Sequence, residues 1–284
     1  MAVLSSTSSH LKRRRIHGFE IAAMVLAILG AVIPFVWAFL TSVKFQHQIY
    51  AFPPEVIPNP FTLFNYASEF QGGLAQGLFN STFVSIFSVA LTVTAASLAA
   101  YPLARMRFRG SQIVLFIIIA PMMIPGLVNL VPIYLILSAL GLLDTYLGLI
   151  LIYWVGSLPV GVWILRGFFQ TVPRELEEAA VVDGCSRVQT LFRIILPVSK
   201  PALMAVALLS FINAWNDFIV ASIITTSAEM RTAQIFLYAN IGDVEVNWGG
   251  LMAAALVVSL PVVVLFFFLQ RGFISGLTAG AVKG

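Results

Sequence analysis

Apolar residues in this chain gather into long unbroken runs instead of alternating with polar ones. Six runs come close to or exceed the roughly 20 residues that a helix needs to cross a hydrocarbon core: residues 20–40, 81–103, 112–137, 142–165, 201–225 and 248–270. A period-two alternation, the mark of a membrane barrel, is missing. The pattern predicts an all-α integral membrane protein with six transmembrane helices. Residues 1–19 form a basic segment before a transmembrane domain at 20–270, and residues 271–284 form a tail.

Proline interrupts this pattern in two places. The connection between the first two runs, residues 41–80, contains "FPPEVIPNP", where successive prolines favour an extended, helix-free path. The third run reads "APMMIPGLVNLVP" and carries Pro121, Pro125, Gly126 and Pro132 at membrane depth. Each proline removes a donor and clashes with the preceding turn, so this helix must kink or break. Freed carbonyls at that depth need protein or a watery cavity to receive them. Bending for packing and lining a path both fit, and Asn129 adds a polar group to the second reading.

Between the fourth and fifth runs lies a polar passage, "QTVPRELEEAAVVDGCSRVQTLFRIILP". Thr171 is the expected N-cap, Pro173 sits in the first turn, and Glu175, Glu177 and Glu178 lie near the positive helix end. Asp183 and Gly184 stop this helix, and Ser186 with Gln189 reads as a capping box opening another. In the second helix Val188, Leu191, Phe192 and Ile195 are spaced to form one apolar stripe. Helix, turn and helix tied to membrane spans at both ends cannot bring a recognition helix into a DNA groove. An ordered loop packing on its own helices and a docking surface for a soluble partner remain.

Composition and charge supply the solvent and the orientation. The chain is 60% hydrophobic and 10% charged, against about 25% charged in ordinary soluble domains. Lipid must be its solvent, and nucleic acid is not an expected partner. Of 16 Lys and Arg, only Lys44 and Arg231 fall outside the even-numbered connections and the termini. By the positive-inside rule both termini and the loop at 171–200 are expected in the cytoplasm. The first run is too long for a cleaved signal core and reads as a retained anchor. The Asn80-Ser81-Thr82 triplet abuts the membrane and is set aside as a glycosylation acceptor. A single cysteine, Cys185, excludes an internal disulfide and is expected to be buried filler.

Seven positions of the polar passage carry a resemblance: Glu178, Ala179, Ala180, Gly184, Ile194, Leu196 and Pro197, spaced as E-A-A, three residues, G, nine residues, I-x-L-P. They resemble the cytoplasmic signature of permease subunits in binding-protein-dependent ATP-binding-cassette importers. The carbohydrate branch, of the maltose/maltodextrin type, is similar in "GLLDTYLGLIL", "NAWNDF" and the terminal "GLTAGAVKG". The resemblance covers essentially the whole chain. It implies a coupling helix seated in a cleft of a nucleotide-binding subunit, with a charged contact at Glu178. Around it, Ala179, Ala180, Asp183, Gly184, Leu191, Phe192, Ile194, Leu196 and Pro197 build or anchor the module. It also implies an ATPase contact for the tail, at Thr278, Ala279, Gly280 and Lys283. The implied assembly pairs this chain with a second, homologous permease subunit as a heterodimer. Two ATP-binding subunits and an extracytoplasmic sugar-binding protein complete it, in a prokaryotic cytoplasmic membrane.

The fifth run adds candidate path residues. Asn213, Asn216 and Asp217 stand at i, i+3 and i+4 and are expected on one helix face. An Asp at the membrane centre costs about 2.5–3.5 kcal/mol, which argues against a lipid-facing Asp217. At about 1.5 Å per residue from Pro201, Asp217 stands about 24 Å along the run, toward the external end. With Trp215 these residues offer hydroxyl partners and a flat apolar face to a sugar. A polar seam to another helix fits the same positions.

Enzyme chemistry finds no support in the motifs. All three histidines, His10, His17 and His47, precede the second run. No H-E-x-x-H, G-x-S-x-G or G-x-x-x-x-G-K-[ST] occurs. The expected role is transport without catalysis, with no metal or cofactor on this chain and ATP with Mg on partner subunits. A non-transporting scaffold or receptor, or import of a non-sugar solute, is the alternative.

Overall fold

The computed structural model describes residues 18–241 and 246–281, with side chains to residue 268. Every long apolar run becomes helix, because a chain in lipid must satisfy its backbone groups within its own segment. Among the described residues the only extended pairing is an isolated bridge between Ile241 and Val246. The chain runs through α1 (Gly18–Ser42), α2 (Phe64–Gln71), α3 (Leu74–Arg105), α4 (Ser111–Ile119), α5 (Leu130–Ala139) and α6 (Tyr146–Thr171). It continues through α7 (Glu175–Val182), α8 (Arg187–Val198), α9 (Lys200–Asn216), α10 (Ile219–Ile224), α11 (Ala233–Ala239) and α12 (Trp248–Ala281).

Four helices, α1, α3, α6 and α12, are each long and apolar enough to cross a membrane. Two further candidate spans are bent helix pairs. Ser111–Met123 and Gly126–Ala139 meet at 96°, and α8 meets α9 at 82°. Counting each bent pair as one span gives six. The first break falls on the predicted prolines: Ile124 and Pro125 are extended, with ψ of 124° and 128°. A residue before proline is pushed out of the helical region, so Ile124 cannot continue the turn.

The expected fifth span at 201–225 is not continuous either. Its helix ends at Asn216, Asp217 takes ψ 127°, and α10 restarts at Ile219. The Asp217 carboxylate accepts N–H bonds from Val220 at 3.4 Å and Ala221 at 2.9 Å, so its side chain opens the next helix. An Asp competing for nearby N–H groups favours a helix start over a helix interior. The run of nonpolar residues around it conceals that stop.

Helices α3, α6, α9 and α12 form the centre, with α1 laid along α12. The inner face of α3 is a stripe of small residues, Ser81, Ser85, Ser88, Thr92 and Ala96, all buried. Small side chains let helix backbones approach closely in a membrane. At Gly161 of α6 a Cβ would lie 3.1 Å from Ala96 and 3.2 Å from Val206, so three helices meet on a missing side chain. The Ser88 hydroxyl bridges two of them, donating to Val84 O at 2.7 Å and to Ile150 O at 3.3 Å. Outward, α1 presents Leu26, Ile28, Ile33 and Phe35 to the surroundings, as a lipid-facing helix must.

The connection at 41–80 is part helix and part extended. "FPPEVIPNP" is helix-free as expected, but Gln46–Ile49 and α2 flank it, and α3 begins seven residues before the predicted span. Lys44 is buried here, donating to Glu55 O and standing 5.5 Å from the Trp37 ring centroid.

Candidate functional site: a polar cavity between two broken spans

Two breaks facing one intact helix leave a hollow. A cavity of about 520 Å³ is bounded by the bend between α4 and α5, by the middle of α6, and by the end of α9. Its polar lining is Asn129, Tyr153, Asn213 and Asp217, set among Ile124, Ile133, Val155 and Pro159. Tyr153 donates to Asp217 at 2.7 Å, and Asn213 donates to Ser157 at 3.3 Å. The carboxylate is therefore held by one hydroxyl and two backbone N–H groups while an edge still reaches the hollow. Fixed amides, a phenol and a carboxylate over apolar walls suit a small polar ligand.

Sequence reasoning brings three of its five path candidates to this cavity. Asn129, Asn213 and Asp217 line it, although the last two do so across a helix end and not along one face. Asn216 is exposed outside it. Trp215 does not line the cavity: it is 1% exposed, stacks on Phe211 and donates its indole N–H to Val258 O at 3.2 Å. The physical reason is its place one residue before Asn216, which turns it toward α12 and away from α6. Tyr153 is a lining residue outside the five sequence candidates. Its signal is a phenol inside a span that needs a partner at depth, and Asp217 is the carboxylate that the spans hold away from their ends.

The second candidate surface is the α7–α8 module. Helix α7 ends in the expected left-handed glycine, Gly184 at φ +79°, with Cys185 N bonded to Ala180 O at 2.9 Å. The capping box is present: Gln189 N donates to the Ser186 hydroxyl and Ser186 N to the Gln189 amide oxygen. Thr171, however, closes α6 and donates to Phe168 O, while α7 starts at Glu175. The apolar stripe also divides. Residues Leu191–Ile195 form a π-helical segment that changes the angular spacing, burying Leu191 and Ile195 and leaving Val188 and Phe192 exposed. Leu191 and Ile195 join Tyr101, Val162, Leu165 and Phe169 in one core cluster, which anchors the module to α3 and α6.

What faces outward is Val181, Val182, Val188 and Phe192, with exposed Glu178 and Ala179 alongside. Val182 is 86% exposed, a large apolar cost in the isolated chain. The neighbouring Glu177 is used internally, paired with Arg105 at 2.7 Å, whereas Glu178 makes no ion pair among the described residues. Ala180 is buried under the turn and Asp183 is exposed at the helix end. Pro197 and Leu196 close α8, with Ile194 half-buried. In the tail, Thr278, Ala279 and Gly280 continue the backbone of α12, and Lys283 lies outside the described residues.

Comparison with known proteins decides the family. The model of the binding-protein-dependent transport system inner membrane component matches residues 92–278. This chain belongs to that family. The matched region includes the cavity and the α7–α8 module. The chain is 37% identical over 265 residues to the sulfoquinovosyl glycerol transport system permease protein of Agrobacterium fabrum, covering 93% of each. It is 36% identical to the diacetylchitobiose uptake system permease protein of Streptomyces coelicolor, covering 93% of this chain and 96% of that one. It is 34% identical to the trehalose/maltose transport system permease protein of Thermococcus litoralis, covering 93% and 99%. In fold it matches a chain of a bacterial transporter for the acidic polysaccharide alginate, with TM-score 0.77 and 24% identity over 92% of this chain and 98% of that one. The permease is thus a multi-pass inner membrane component of a binding-protein-dependent transport system.

Proposed function

We propose that this permease is one of two homologous membrane subunits of an ATP-driven sugar importer, and that its cavity forms half of the translocation path. The observation that carries the reading is the hollow at the two broken spans, where Asn129, Tyr153, Asn213 and Asp217 meet. A helix break at membrane depth exposes backbone groups and is tolerated where it lines a cavity. Amide and carboxylate groups can match sugar hydroxyls, and the Tyr153 ring offers a flat face. The relatives named for sulfoquinovosyl glycerol, diacetylchitobiose and trehalose/maltose transport support a carbohydrate over another solute.

In this reading ATP and Mg are bound by two separate subunits, and no cofactor binds here. The α7–α8 module is the handle they move. Val181, Val182, Val188 and Phe192 enter the ATPase cleft, and Glu178 makes the charged contact. Leu191 and Ile195 carry the motion into α3 and α6. An external binding protein delivers the sugar to the face opposite the module.

Testing combines two measurements. ATPase activity should require the co-purified complex and rise with sugar-loaded binding protein; turnover by this chain alone would overturn the reading. Glu178→Arg and Gly184→Pro should abolish uptake with the chain still inserted. Asp217→Ala and Asn213→Ala should change uptake affinity or rate, and unaltered uptake curves would return both residues to a purely structural seam.

A further inference from the structure

Between α3 and α4 the chain makes a short passage from Met106 to Gly110. A second cavity, of about 480 Å³, lies there, lined by Arg105, Arg107, Arg109, Arg174, Phe108 and Ser111. We propose that it holds the phosphate headgroup of an anionic phospholipid. Arg105 is already committed, paired with Glu177 at 2.7 Å and donating to Val172 O. Arg107, Arg109 and Arg174 are exposed and have no ion pair or side-chain hydrogen bond among the described residues. Three uncompensated guanidinium groups around one hollow repel each other, and a bound anion removes that repulsion.

The backbone adds to the charge. Helix α4 starts behind Gly110 at φ +88°, which provides no side-chain acceptor for the first N–H groups of the helix. Those donors and the positive helix end favour an anion at the same place. Arg174 lies at the start of α7, so the headgroup would touch both the membrane helices and the module.

Position selects a lipid over a soluble phosphate. Both flanking helices are membrane elements, so the passage lies where hydrocarbon gives way to headgroups. Below it, α4 turns Ile113, Phe116 and Ile117 outward at 65%, 60% and 64% exposure. At i, i+3 and i+4 these side chains share one face of the helix that starts at the hollow, an apolar wall for acyl chains. Phe108, at 41% exposure, stands at the rim as interfacial aromatics do. A basic pocket over an apolar helix face fits both ends of one phospholipid.

The test is native mass spectrometry of the full chain purified in mild detergent, titrated with phosphatidylglycerol or with phosphatidylcholine of the same acyl chains. Phosphatidylglycerol should be retained preferentially. Arg107→Gln and Arg109→Gln should each weaken retention about five-fold, and the corresponding Lys variants, which keep the charge, should preserve most of it. Lys200→Gln, at an exposed cation outside the cavity, should have no effect. Equal binding of both lipids, or full retention by the Arg107→Gln/Arg109→Gln variant, would overturn the assignment. So would displacement by equimolar inorganic phosphate, which would make the occupant a soluble anion. Undiminished lipid binding together with lost co-purification of the ATPase would make the cavity a protein contact instead.

Discussion

Asn80 carries four hydrogen bonds on one buried amide. It accepts from Gln76 at 2.9 Å and Tyr146 at 2.7 Å, and donates to Glu229 O and Arg231 O at 2.7 Å each. This asparagine ties α3, the start of α6 and the turn before α11 together, which also removes it as a glycosylation acceptor. Asn80→Ala should destabilise the chain by about 1–3 kcal/mol through unpaired buried groups, seen as a lower melting temperature in detergent. Asp144 plays a similar part in the connection before α6. It sits at φ +57° and accepts from Thr226 N at 2.9 Å and Ser227 N at 3.1 Å. Burial, the largest single influence, pushes its carboxyl up, but the two backbone N–H groups and the side chains of the same residues outweigh it and hold the carboxyl below its ordinary value. A depressed value stabilises the fold above the ordinary carboxylate range and loses that contribution as pH falls through the lowered one. Acid melts of Asp144→Asn should therefore lose the part of the pH dependence that lies below 3.8.

At the scale of elements, the α7–α8 module shows how far local chemistry reads from sequence. Gly184 and the Ser186–Gln189 box were legible because turns and caps are set by bonds within a few residues. The division of the apolar stripe was not, because a π-helical segment depends on what α8 packs against. The two halves have separable roles. Leu191→Ala should cost about 2–5 kcal/mol in stability by opening a core cavity. Phe192→Ala should leave the melting temperature nearly unchanged and reduce co-purification of the ATPase. Reversed outcomes would exchange the anchor and the docking face.

Across the whole molecule, α3, α6 and α9 converge at Gly161, where a Cβ would press on Ala96, Val206 and Thr92. Gly161→Leu should wedge them apart at a cost of about 1–3 kcal/mol or more, measured as loss of thermal stability and of assembled complex. The sequence by itself determined the helical class, the apolar runs, a break within the proline-rich third run, and the glycine stop and capping box between α7 and α8. Each follows from lipid solvation or from hydrogen bonds between near neighbours, which travel with the chain segment. Only the tertiary structure decided that Trp215 faces α12, that Tyr153 meets Asp217 beside the cavity, and that the apolar stripe of α8 divides. Those outcomes depend on which helix lies opposite, and residues 64 positions apart carry no local signal of their meeting.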